Sequence, residues 1–121
     1  MSKMKELLID TMSKTKLHTW FERGRAHVEL RDSRTDKTIV EWRDEAVDEA
    51  IVDGFLDLNA FVLGKLMRPE LLHESACSYL IQTMRNFEPL PDFIDYANIP
   101  HDLVMSLRNM IQEIHHTPSQ T

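Results

Sequence analysis

The chain has 121 residues, 42% of them hydrophobic and 28% charged, with a formal net charge of −6. That composition fits one domain with a core of its own and excludes both a disordered and a fibrous chain. With a lone cysteine, Cys77, neither an internal disulfide nor a cysteine zinc cluster can form, which points to the reducing cytoplasm.

The acidity is uneven. Up to Arg43 there are ten Lys/Arg against seven Asp/Glu, and from Asp44 onward four against thirteen. An uneven charge map of this kind steers partners rather than dictating a fold.

At the N-terminus, Met4, Leu7, Leu8 and Met12 fall at helical spacing, which predicts a short amphipathic helix. Asp10 interrupts Leu7-Leu8-Ile9 before that run reaches the length of a signal-peptide core, and no window suits a membrane span. Met12-Ser-Lys repeats Met1-Ser-Lys, so the first eleven residues are also readable as an extension ahead of a start at Met12, and residues 1–16 as an N-terminal helical extension of the domain.

From Leu17 the period becomes two. Leu17, Thr19 and Phe21 alternate with His18, Trp20 and Glu22; Arg23-Gly24-Arg25 turns the chain; Ala26, Val28 and Leu30 alternate with His27, Glu29 and Arg31. After the polar turn Asp32 to Lys37, Thr38, Val40 and Trp42 alternate with Ile39, Glu41 and Arg43. This predicts a three-stranded antiparallel meander with one buried and one wet face. The wet face is expected to carry His27, Glu29, Arg31, Glu41 and Arg43, with Glu29 and Arg31 pairing across strands to Arg43 and Glu41.

Asp44 stands where an N-cap belongs, followed by Glu45 to Asp53 with Ala46, Val47, Ala50 and Ile51 on one face. Gly54 suits a left-handed helix end, and Phe55 can fold back on the last turn. A helix capped by Asp57 is predicted through Leu58, Phe61, Val62 and Leu66. Another follows from Pro69 to about Asn86, with Leu72, Ala76, Tyr79, Leu80 and Thr83 inward. Pro89 and Pro91 break the chain, a short helical turn covers Phe93 to Tyr96, and Pro100 opens a last helix striped by Leu103, Val104, Leu107, Ile111 and Ile114. Residues 117–121 are expected to be a frayed tail. The layout is α+β: helix, meander, then four helical segments packed on one sheet face of a single domain spanning 1–121.

No catalytic signature is present. Six histidines form no H-x-x-x-H or H-E-x-x-H pair, and three glycines build no phosphate-binding loop. No metal or cofactor is therefore expected, and the protein is not expected to be an enzyme. The one constellation that keeps an enzymatic reading open is His73 one helical turn before Cys77.

Two surfaces are candidates for partners. Glu41, Asp44, Glu45, Asp48, Glu49 and Asp53 would present an acidic face to a basic protein surface. Arg23, Arg25, Arg31 and Arg43, near Trp20 and Phe21, are candidate nucleic-acid contacts, although interleaved carboxylates cancel much of their field.

The run from Trp20 to Leu30, followed by Val40-Glu41-Trp42-Arg43-Asp44-Glu45-Ala46-Val47 and by Asp53-Gly54-Phe55-Leu56, resembles small accessory proteins of phages, plasmids and other mobile elements over about residues 13–58. The resemblance implies a bacterial host cytoplasm and a protein that binds and inhibits or modulates a host complex, as anti-CRISPR and anti-restriction proteins do. The alternative it leaves open is a DNA-binding transcriptional regulator that dimerises through the last helix.

Overall fold

The computed structural model describes residues 3–22, 25–62, 65–85 and 96–116. Helix α1 (Lys3–Lys14) runs directly into strand β1 (Thr15–Glu22), which is followed by β2 (Arg25–Asp32) and β3 (Thr38–Arg43). Then come α2 (Glu45–Val52), a 3-10 turn (Leu58–Ala60), strands β4 (Phe61–Val62) and β5 (Lys65–Leu66), α3 (Pro69–Arg85), a second 3-10 turn (Tyr96–Asn98) and α4 (His101–His116). The architecture is α+β, with the predicted antiparallel meander ordered β1-β2-β3. The proline link at 89–91, the 93–95 part of the expected turn and the expected tail lie outside the described residues.

One sheet face forms the core. Val28, Leu30, Val40 and Trp42 are buried on it, under Leu72, Ala76, Tyr79, Leu80 and Met84 of α3 and Leu103 of α4. Between Leu30 and Arg31 the β2–β3 register shifts, so that Ile39 is the extra residue of a bulge. Ile39 and its neighbour Val40 are both fully buried, as a bulge that turns two consecutive side chains inward allows.

Helix α1 belongs to this core rather than lying beside it. Leu7 and Thr11 are buried, and Lys14 Nζ bridges Asp10 (3.0 Å) and Asp102 of α4 (2.7 Å). Asp102 and then Asp10 hold the Lys14 ammonium above its ordinary pKa, while Lys14 holds Asp102 below the usual carboxylate range. Ser33, in the β2–β3 turn, donates both its N–H and its hydroxyl to the Lys14 carbonyl, which ties the end of α1 to the sheet.

Helix α2 ends as its sequence predicts. Gly54 has φ +81°, the Phe55 N–H donates to Ala50 O at 2.8 Å, and the Gly54 N–H donates to Ile51 O at 3.1 Å. These are the paired bonds of a Schellman motif, which needs a residue at ease in the left-handed region. Phe55 leans on the α3 ring of Tyr79, with centroids 4.7 Å apart.

Three expectations are corrected. Residues 57–66 are not a helix: Asp57 Oδ1 caps only a 3-10 turn through the Asn59 N–H (2.8 Å). The chain then pairs Phe61 with Leu66 and Val62 with Lys65 in a short hairpin. Ala60 O accepts from the N–H groups of both Met67 and Arg68, and these bonds replace the helical ones. The spacing of Leu58, Phe61, Val62 and Leu66 is therefore coincidental, with Leu58 exposed and Leu66 only partly covered.

Next, Asp44 occupies the N-cap position of α2 without a side-chain cap, at φ 52° and ψ −116°. Its N–H instead extends the sheet by donating to Ala26 O. Finally, Ala46 points to solvent, leaving Val47 and Ala50 as the buried residues of α2.

Candidate functional site

The far face of the sheet is less wet than alternation implies. His27 and Glu29 are buried on it, at 8% and 4% exposure. Trp20 stacks on His27, with centroids 4.8 Å apart and planes 12° from parallel, and His18 lies 5.1 Å from Trp20. Aromatic rings thus cover what sequence alternation assigned to water. At the end of this row His27 Nε2 lies 3.5 Å from Asp44 Oδ1.

The charged residues of this face pair along strands, not across them. Arg31 Nη2 donates to Glu29 Oε2 at 2.9 Å, and Arg43 Nε lies 2.6 Å from Glu41 Oε1. The cross-strand partner of Glu29 is Glu41, so Glu29 and Arg43 are diagonal rather than direct neighbours, and the hydrogen bonds form along each strand instead. Arg31 also reaches Asp36 at 3.4 Å, and Lys16 reaches the same carboxylate at 2.8 Å. These cations hold Asp36 below its usual pKa, Lys16 foremost.

This pairing reshapes both candidate surfaces. Of the four arginines considered for nucleic acid, Arg31 and Arg43 are already engaged by carboxylates. Arg23 lies outside the described residues, and Arg25 is placed only by its backbone, opposite Glu22. Arg31 and Arg43 therefore offer phosphate a largely neutralised surface.

The acidic set also divides. Glu41 is neutralised by Arg43 on the sheet, and Asp44 faces His27. Glu45, Asp48, Glu49 and Asp53 all stand exposed along α2. Among the described residues none of these four carboxylates has a cationic partner.

An apolar tip adjoins them that sequence reading missed: Val52 is 84% exposed, Leu58 63% and Phe55 41%. Val52 falls off the face that carries Val47 and Ala50, which was the available signal; Leu58 gave none, because its spacing with Phe61, Val62 and Leu66 placed it on a helix face that the structure does not form. Burial of Val47 and Ala50 together with the Schellman end gives this surface a fixed backbone.

The His73–Cys77 pair is brought together, but at a third residue. Thr15 Oγ1 lies 2.9 Å from His73 Nε2 and 3.4 Å from Cys77 Sγ, and it donates to Thr11 O at 2.7 Å. With its single proton committed to that carbonyl, the hydroxyl is an acceptor toward both others. This assigns the Nε2–H tautomer to neutral His73 and the protonated thiol to Cys77.

Burial pushes the Cys77 thiol up to about 12, against the opposing pull of Thr15, and depresses the His73 pKa. A thiol that is buried and held protonated is poorly suited to nucleophilic attack. Among the described residues no three His, Cys, Asp or Glu side chains are grouped to hold a metal ion, and no helix is long and apolar enough to cross a membrane. Comparison with protein-family models, with curated proteins and with solved structures finds no match to this chain.

Proposed function

We propose that the protein works by binding, placing the outer face of α2 and its apolar tip on a basic surface of a host protein complex and thereby inhibiting or modulating it. The observation that carries this reading is the conjunction of four exposed carboxylates that have no cationic partner among the described residues, Glu45, Asp48, Glu49 and Asp53, with exposed Val52, Phe55 and Leu58. Protein interfaces combine an apolar centre that drives association with a charged rim that steers it. A groove built to hold nucleic acid offers the complementary positive charge. The resemblance to mobile-element accessory proteins supports restriction and CRISPR complexes as the partners to try first.

The test is binding of the purified chain to such complexes at low and moderate salt. The expected result is an affinity that falls steeply with salt, and falls about tenfold or more when Glu45, Asp48, Glu49 and Asp53 are reversed to lysine. Val52→Ser should lower affinity while leaving the salt slope intact. An affinity that neither change alters would remove α2 as the binding face.

A further inference from the structure

The two edges of the sheet are treated differently. The β3 edge has six residues and a bulge, and it is met by the second 3-10 turn, where Asn98 Nδ2 donates to Thr38 O at 2.8 Å. Strand β1 has eight residues, contains no proline, and is in unbroken register with β2 from Thr15 to Glu22. Among the described residues no strand pairs with its other edge. A long, regular edge without bulge or proline is a template for a further strand.

The sequence of β1 states which strand fits. Around Thr19 the residues mirror one another in kind: Lys16 against Glu22, Leu17 against Phe21, His18 against Trp20. A second copy of β1 laid antiparallel about a two-fold axis at Thr19 would put each of these in register with its complement. Opposite charges, apolar with aromatic, and ring with ring are all favourable cross-strand pairs. Leu17, Thr19 and Phe21 share one face, being opposite Leu30, Val28 and Ala26.

Beside that face lies an open groove of about 440 Å³ lined by Thr19, Phe21, Lys65, Leu66 and Met67. Phe21 is 51% exposed and Met67 61%. We infer that the chain forms a two-fold homodimer through β1, joining two meanders into one six-stranded antiparallel sheet, with Leu17 of the second copy packing beside Phe21 at this groove. Lys16 has three donors, so its bond to Asp36 leaves it able to take a second carboxylate across the axis.

The inference is independent of the α2 reading, since α2 borders β3 at the opposite edge. It also replaces the last helix as the dimerising element. A contact built on one strand pair is small, so association is expected at micromolar concentration or weaker.

The experiment is sedimentation equilibrium of the full chain from about 10 to about 500 micromolar, alongside thermal melting to show that each variant is folded. The wild type should dimerise, and Phe21→Glu should raise the dissociation constant about tenfold or more. Lys16→Glu or Glu22→Lys alone should weaken the dimer, and the double exchange should restore it. Thr19→Cys, at the two-fold axis, should form a covalent dimer on mild oxidation, whereas Lys37→Cys, on an exposed turn remote in register, should not. A wild type monomeric throughout that range, a dimer indifferent to Phe21→Glu, or equal crosslinking at positions 19 and 37 would overturn the proposal.

Discussion

Glu29 stands directly opposite Glu41 in the β2–β3 register, and each carboxylate is taken up by an arginine two residues further along its own strand. Like charges facing each other across strands are unfavourable, and the one on Glu29 is also buried. Its remaining hydrogen bond comes from the hydroxyl of Thr38. Arg31→Met should therefore cost about 2 kcal/mol of stability, as loss of a hydrogen bond to a buried charge does. Urea unfolding measures it, and Glu29→Gln in the Arg31→Met background should recover part of the loss. Equal stability of wild type and Arg31→Met would show that the pair does not matter.

Thr15 joins α1, β1 and α3 through one hydroxyl. Thr15→Val keeps the shape and removes three interactions, leaving His73 and Cys77 without this acceptor; a loss of about 1 to 3 kcal/mol is expected. In the wild type Cys77 should resist a thiol reagent at pH 8 until the protein unfolds, because the side chain is buried and its thiol protonated. Labelling with and without denaturant decides the point, and rapid labelling of the folded chain would contradict the assigned burial.

His73 sets an acid limit on stability. Its folded-state pKa is depressed below the ordinary 6.5 by burial, so below about pH 6.5 the unfolded chain binds the proton more readily than the folded one. Stability should thus fall as pH drops from 6.5 toward the folded pKa, and cease to depend on His73 below it. Urea midpoints across that window should slope less in His73→Gln; identical slopes would assign the acid sensitivity to other groups.

The two ends of α2 make opposite demands on their residues. Gly54 has φ +81°, and a Cβ there would meet nothing within 4 Å, so Gly54→Ala should cost about 1 kcal/mol through backbone strain alone. Asp44 holds φ 52° and ψ −116° without glycine's freedom. Asp44→Gly should be tolerated or slightly stabilising, relief of strain offsetting the lost approach to His27. Melting temperatures distinguish these outcomes, and a destabilised Asp44→Gly would give the His27 contact the larger share.

Much of the fold was legible because it depends on local chemistry. Period two from Leu17 to Arg43 located the meander, Gly54 located the end of α2, and the stripe Leu72, Ala76, Tyr79 and Leu80 identified the buried face of α3. The 57–66 segment misled because four apolar residues at helical spacing also suit a turn and hairpin. Which one forms is decided by the bonds to Ala60 O and by the Ser75 hydroxyl that accepts from the Asp57 N–H. On the candidate site, spacing identified the acidic run but not the removal of Glu41 and Asp44 from it. Arg43 takes up Glu41 from two residues along its own extended strand, whereas His27 comes to lie beside Asp44 only when β2 and β3 align.

The sequence by itself determined the meander, the helical character of α1, α2, α3 and α4, the Gly54 end of α2 and the alternation of charge, since each follows from the conformational preferences of a residue and its near neighbours. Tertiary structure alone decided that His27 and Glu29 are covered and that Thr15 is the meeting point of His73 and Cys77. It also decided that α2 keeps four carboxylates without a cationic partner among the described residues, beside an apolar tip. Those outcomes depend on register and packing between segments far apart in the chain, where a shift of one residue changes every partner.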